Sequence, residues 1–353
     1  MFGAYRLALA LAVSVQHLLV IPVIGDHALH GFFVLSGFLM TRVMSQTYGY
    51  SLPGIRAFLA NRALRLYPVY WATLAISALI IWQLGESNSR EYRHFLYLPN
   101  DAGSLLQNLT LIFPSFFPGS VEPRLSPPSW SLTVEIFYYF IISIGVSRTP
   151  RHALFWLSSS AIALAFLSYT NDSYRVNYAH LIAQSLPFSL GAVLYHYKTR
   201  ISEFMKNKIP VLTQPHLLAA ATAGNTLAAS GLVVLGAPNI ENYATYTNLL
   251  LQTALIAQLD KKPFKLPTRP IDQFLGDLTY PIFLLHWQIG FMTAMLAIGR
   301  PTRGLSVDGV IVYTISIIAC FFVAIFLSAA IDRPVQSWRA QLRPRQPEKA
   351  NVP

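Results

Sequence analysis

Apolar residues in this chain gather into long runs separated by short polar segments. Runs of roughly 17–25 residues, the length a helix needs to cross a bilayer, occupy 6–24, 28–46, 67–85, 131–147, 153–169, 179–197, 211–235, 245–259, 274–298 and 309–331. The pattern predicts an all-α polytopic membrane protein, a bundle of about ten transmembrane helices. The longest stretch between runs, Glu86 to Ser129, is rich in Pro, Asn and Ser and is expected to cover the outer face of the bundle. Its one short apolar segment, LLQNLTLIF, reads as a loop or re-entrant element. No internal repeat suggests the inverted symmetry of many transporters.

Composition supports this class and excludes a soluble one. Hydrophobic residues make up 54% of the chain and charged residues only 12%, and the mean hydropathy is +0.44, far from the balance of a soluble domain. A net charge of +11 would suggest nucleic acid in a soluble protein, but its placement here follows the membrane, so no nucleic-acid partner is expected. With a cytoplasmic N-terminus, the cytoplasmic side carries Arg6; Arg42, Arg56, Arg62 and Arg65; Arg148 and Arg151; Lys198, Arg200, Lys206 and Lys208; Lys261, Lys262, Lys265 and Arg269; and Arg333, Arg339, Arg343, Arg345 and Lys349. Only Arg90, Arg93, Arg124, Arg175, Arg300 and Arg303 fall outside. By the positive-inside rule both termini are expected to be cytoplasmic. Residues 1–335 read as one transmembrane domain and 336–353 as a cytoplasmic tail, whose charged, proline-rich end RPRQPEKANVP is expected to be disordered. The first run lacks a small-residue cleavage pattern and is read as a retained span rather than a signal peptide. Cys320 lies in the last run, where it reads as a small core residue and not as a thiol nucleophile.

Against this background the ionisable residues at membrane depth are the candidate chemistry. Arg6 and His17 are separated by ten residues in the first run, a spacing that returns to the same helix face within ~20° after a rise of ~16 Å. Taken singly, Arg6 fits a positive-inside anchor and His17 fits interhelical hydrogen bonding. Arg62 and Arg65, three residues apart in NRALRLYPVYW, suit a polyanion such as a nucleotide pyrophosphate, and equally a lipid headgroup. In PSWSLTVEIFYYF, Ser129 or Ser131 caps the fourth span and Glu135 lies about one turn inside it. Helix-dipole compensation accounts for that carboxylate; alternatively it meets His17 across the bundle and fixes the imidazole tautomer. FLGDLTYPIFLLHWQIG places Tyr280 and His286 in a span entered at Asp277, where His286 and Trp287 also fit an interfacial belt. His27 and His30 have helix-ligand spacing, but no further ligand completes a site, and no metal is expected.

Together these segments resemble the acyltransferase 3 family of integral membrane acyltransferases. The resemblance runs in order through Arg6 and His17, GFFVLSGFLMT at Gly31 to Thr41, NRALRLYPVYW at Asn61 to Trp71, PSWSLTVEIFYYF around Glu135, GDLTYPIFLLHW ending at Trp287, and DRP at Asp332 to Pro334. It covers the chain from end to end. Two departures are local: His30 stands where many members carry an acidic residue, and Asp332 where the final motif often has Glu. No attached extracytoplasmic hydrolase-like domain is expected.

The resemblance implies a ten-helix bundle in a bacterial inner membrane, a cytoplasmic acyl-CoA donor, acetyl-CoA foremost, and an acceptor on the outer face. By carry-over Arg6 and His17 match the family's essential pair, and Arg62 and Arg65 its donor-binding arginines. The implied reaction moves a short acyl group to a hydroxyl of an exported or cell-surface carbohydrate, with His17 as general base, Arg6 and Glu135 in the catalytic set, and no bound cofactor. Arg6 would guide the donor or stabilise the oxyanion. Ser36, Ser131, Tyr280 and His286 are acceptor or support candidates, and Ser36 or His17 a candidate transient acyl carrier. The partners implied are acyl-CoA, a hydroxylated acceptor and membrane lipids, with self-association left open. The alternatives are acylation of a glycolipid or small secondary metabolite, and a proton-coupled transporter or flippase in which Arg6, His17 and Glu135 line a polar path.

Overall fold

The computed structural model of the chain describes residues 2–170, 178–237, 240–264 and 269–342. Arg175, Lys265, the side chain of Arg269 and the tail 343–353 lie outside the described residues. The described elements are all helical: α1 (Gly3–Leu19), α2 (Ile24–Val43), α3 (Leu52–Leu84), α4 (Glu86–Tyr92), α5 (Ala102–Thr110), α6 (Ser129–Ser143), α7 (Pro150–Thr170), α8 (Ser185–Lys208), α9 (Pro215–Val234), α10 (Ile240–Lys261), α11 (Arg269–Ala297), α12 (Val307–Leu327) and α13 (Arg333–Gln341). Short π-helical turns at Met44–Tyr48 and Ser328–Asp332 extend α2 and join α12 to α13.

Among the described residues, six helical segments are long and apolar enough to cross a membrane: Ile24–Tyr48, Leu52–Leu84, Pro150–Thr170, Pro215–Val234, Pro270–Ala297 and Val307–Gln341. The protein is therefore a multi-pass membrane protein. The helix α1 is apolar but shorter. In α6, α8 and α10 polar side chains dilute the apolar pattern, and many of them are spent inside the bundle. Gln252 of α10 bonds the His27 carbonyl and Asn248, Asn248 bonds Thr226, and the His27 ring meets Thr226 and Thr245. Such satisfied networks let polar helices lie at membrane depth.

Several boundaries move from those expected. The helix α3 begins at Leu52 rather than 67, because its first turns carry Arg56, Arg62 and Arg65 and are invisible to an apolar window; Ser51 caps it and Pro53 sits in its first turn. Likewise α8 runs from Ser185 to Lys208 instead of 179–197. The segment read as tail from 336 is helical to Gln341. The expected cover holds two short helices, α4 and α5, and its end is drawn into the bundle. The Leu125 carbonyl accepts from Ser77 of α3 at 2.5 Å and from Gln288 of α11 at 2.9 Å, and Ser126 donates to the Leu284 carbonyl.

One closely packed helix pair is α2 against α8. A Cβ on Gly191 would lie 2.1 Å from the Val34 carbonyl oxygen, and one on Gly37 would lie 2.1 Å from that of Phe188. Small residues thus set the interaxial distance, as lipid-embedded helices require. Gly191→Ala is expected to cost ~1–3 kcal/mol by overpacking, read as a lower melting temperature of the detergent-solubilised protein. Gly224→Ala, a substitution into open space, should leave melting unchanged.

At the end of the bundle that holds the N-terminus, called here the near end, Asp260 pairs with both Arg42 (2.7 Å) and Lys198 (2.6 Å). At the far end α1 turns into α2 through Val20 and Val23, both with positive φ (58° and 72°). Left-handed backbone at a β-branched residue costs of order 1–3 kcal/mol. This strained hairpin follows His17 directly.

Candidate functional site

Two polar chambers open at opposite ends of the bundle and are joined by a constriction. The far chamber, about 520 Å³, is walled by His17, Val20, Val23, Arg93, Arg124, Trp130, Ser131, Phe283, Trp287 and Arg303, among others. The near chamber, about 490 Å³, is walled by Arg6, Ser36, Met40, Arg62, Arg65, Glu135, Tyr139, Asp277, Tyr280 and Arg339, among others. Between them lies a waist of about 60 Å³. Its walls share Leu29, Ser131 and Phe283 with the far chamber. They share Arg6, Phe32, Glu135 and Tyr280 with the near one. Phe32 and Phe283 meet there edge to face, 5.8 Å apart.

The far chamber is built around His17. Its Nδ1 is 2.7 Å from Nε2 of His286, with the ring planes 11° apart, and its ring lies 4.9 Å from that of Trp287. His286 is fully buried, and its Nδ1 is 3.3 Å from the Ile282 carbonyl oxygen. A carbonyl only accepts, so Nδ1 of His286 carries its proton and the Nε2 of the neutral ring is an acceptor. It follows that His17 donates from Nδ1, and its own Nε2 keeps a lone pair. That Nε2 has no protein partner among the described residues, and the ring borders the chamber. An imidazole held in this tautomer can accept a proton through Nε2.

The expectation that Glu135 meets His17 is corrected. The helix α6 starts at Ser129, so Glu135 lies nearly two turns down it and falls among the near-chamber residues, where it accepts from Ser36 Oγ at 2.7 Å. His17, in the last turn of α1, stays at the far end. An imidazole therefore fixes the His17 tautomer, not a carboxylate.

The near chamber gathers the arginines. Arg62 donates to Asn61 at 2.8 Å, and its Nε is buried without a partner. Arg65 is neutralised: its Nη1 lies 2.8 and 2.7 Å from the two oxygens of Asp332, which ends the π turn after α12. Arg6 enters at the waist and forms no ion pair among the described residues. Tyr280 donates to the Leu66 carbonyl at 3.0 Å, which makes it a brace for α3. Ser131 donates to the Pro128 carbonyl at 2.8 Å while bordering both waist and far chamber. His27 and His30 belong to the buried polar packing instead, His30 standing 5.5 Å from the Tyr178 ring.

Sequence reasoning passed over the arginines of the far chamber. Arg303 donates to the His17 carbonyl at 3.1 Å. Arg124, only 2% exposed, donates to the Gly119 and Val121 carbonyls, and Arg93 lies over the Phe95 and Trp287 rings. Burial lowers the Arg124 guanidinium to about 10, which leaves it charged at neutral pH. The signal was present, since all three break the positive-inside rule.

The structure is thus a helical membrane bundle with the His17–His286 pair at one chamber and arginines in the other, the two chambers meeting at a waist. A family model described as an acyltransferase domain matches residues 5–331, and the chain belongs to this acyltransferase 3 family. No curated protein and no solved structure matches it.

Proposed function

We propose that the protein transfers a short acyl group from acyl-CoA in the near chamber to a hydroxyl of a carbohydrate acceptor in the far chamber. The observation that carries this reading is the His17–His286 pair, which leaves His17 Nε2 as a bare acceptor at the wall of the far chamber. The acceptor hydroxyl gives its proton to this nitrogen as its oxygen attacks the thioester carbon. The carbon–sulfur bond then breaks, and the proton passes to the leaving thiolate, giving the ester and free CoA.

Arg62 holds donor phosphate, and Arg65 is kept in place for the same ligand by Asp332. Arg6 lies a rise of ~16 Å down α1 from His17, too far to share one reacting atom, so its role is to lead the donor into the waist. The small volume of that waist favours acetyl or a similarly short group over a long chain. The near chamber is assigned to the cytoplasm, with the N-terminus, in a ten-span bacterial inner-membrane protein. The concentration of Lys and Arg in the near-end loops supports that orientation.

Purified protein in nanodiscs is expected to release CoA from acetyl-CoA only when a hydroxylated acceptor is present, with a matching ester on the acceptor by mass spectrometry. Movement of a glycan across proteoliposomes with no acyl group gained would replace this reading with that of a transporter.

A further inference from the structure

The far end of the bundle treats its arginines in two ways. Arg90 and Arg300, away from the chamber, are each paired with a carboxylate, Glu86 at 2.8 Å and Asp308 at 3.0 Å. Arg93, Arg124 and Arg303, which line the chamber, have no such partner among the described residues. Two carboxylates, Asp26 and Glu241, also line the chamber, and neither forms an ion pair with these three among the described residues; Glu122, outside the lining, acts electrostatically on Arg93 and Arg124, but its contact is with His94 at 3.2 Å. The Nε atoms of Arg93 and Arg124 are buried with no hydrogen-bond partner.

All three guanidinium groups are instead held over aromatic faces close to the base. Arg303 lies 4.9 Å and Arg93 5.4 Å from the Trp287 ring centre, and Arg124 lies 4.0 Å from that of Phe95. The Trp287 ring is in turn 4.9 Å from His17. Cation–π contacts and carbonyl acceptors orient these groups without neutralising them. Three like charges sharing a partly desolvated chamber repel one another, a cost that an anionic ligand removes. Trp130 and Tyr178, which meet edge to face on another wall, offer apolar faces for a sugar ring.

We propose that the acceptor is an anionic carbohydrate, and that Arg93, Arg124 and Arg303 bind a phosphate or carboxylate group lying beside the hydroxyl that is acylated. The inference rests on the assignment of the far chamber to the acceptor. The same chemistry serves a charge on the sugar itself and the phosphate that links a sugar to a lipid carrier. A guanidinium fork matches both bidentately.

The test is equilibrium binding to the full chain in nanodiscs, with saturating CoA occupying the donor chamber, at fixed ionic strength. The probes are glucose, glucuronate, glucose 1-phosphate and a short-chain polyprenyl phosphate. Glucuronate and glucose 1-phosphate should bind at least roughly tenfold more tightly than glucose, the scale of one or two charge-assisted hydrogen bonds. The double variant Arg93→Gln with Arg303→Gln should lose that preference. Arg93→Lys, which keeps the charge, should retain part of it, and the paired Arg300→Gln should retain all of it. Tighter binding of polyprenyl phosphate than of either sugar anion assigns the site to a carrier phosphate; the reverse order assigns it to the sugar's own charge.

Equal binding of glucose and the anions by the unmodified protein overturns the proposal, and needs no variant to fold. The proposal also fails if the anionic preference survives the double variant. Failure of the acyl-transfer reading looks different: anions bind and depend on the arginines, yet CoA is never released.

Discussion

His17→Gln is expected to lower turnover by roughly 10²–10⁴-fold, the range for loss of a positioned general base, while leaving membrane insertion and acyl-CoA binding intact. The glutamine amide can still exchange a hydrogen bond with His286, and membrane hydrogen bonds of that kind average only ~0.6 kcal/mol. A role confined to packing would therefore leave the rate almost unchanged. His286→Gln separates the two nitrogens further. It keeps a polar partner for Nδ1 of His17 but no longer fixes which ring nitrogen carries the proton, so kcat should fall with little change in either KM. Single-turnover measurement of CoA release, alongside binding of a non-hydrolysable acyl-CoA analogue, checks both. A His17→Gln protein turning over near the normal rate would remove this residue from the chemistry.

Arg62→Ala is expected to raise the KM for acyl-CoA by roughly 10- to 100-fold, the loss of a charge-assisted contact to phosphate, with Arg62→Lys restoring only part because it lacks the planar fork. Arg65 should behave differently although it lies one turn away. Its charge is already met by Asp332, which is 3% exposed. Breaking a buried pair by removing one partner costs ~3–5 kcal/mol, so Asp332→Asn should first appear as a lower melting temperature. Donor kinetics measured on the folded fraction distinguish the two effects. An unchanged donor KM in Arg62→Ala would leave this arginine as a lipid-headgroup anchor.

The helical class, the family and the separation of Arg6 from His17 were legible because they depend on local pattern: apolar runs, fixed spacings and ordered motifs. What the sequence could not convey was which helices face each other at a given height. Glu135 and His17 share an apparent depth in the apolar pattern, but the packing of α6 sets the carboxylate beside Ser36 at the near chamber. The His17–His286 contact joins residues 269 positions apart, beyond any local signal. The length of α3 was hidden for the opposite reason, since its charged first turns read as loop although they form one helix with the apolar part. Arg93, Arg124 and Arg303 were visible only as exceptions to a charge rule, and their convergence on one chamber needed the fold of the 93–128 segment against α11.

The waist between the chambers also has an electrical meaning. Once hydrated, two chambers reaching inward from either surface would leave the membrane voltage to fall mainly across the short plug formed by Phe32, Phe283 and Tyr280. Each elementary charge crossing that plug would exchange ~2.3 kcal/mol with a potential of 100 mV. An acyl group is neutral. The proton exchanged for it, however, passes from His17 in the far chamber to the thiolate in the near one, so each turnover carries one elementary charge inward across the plug, and acylation is expected to run faster in vesicles energised negative inside than in de-energised ones.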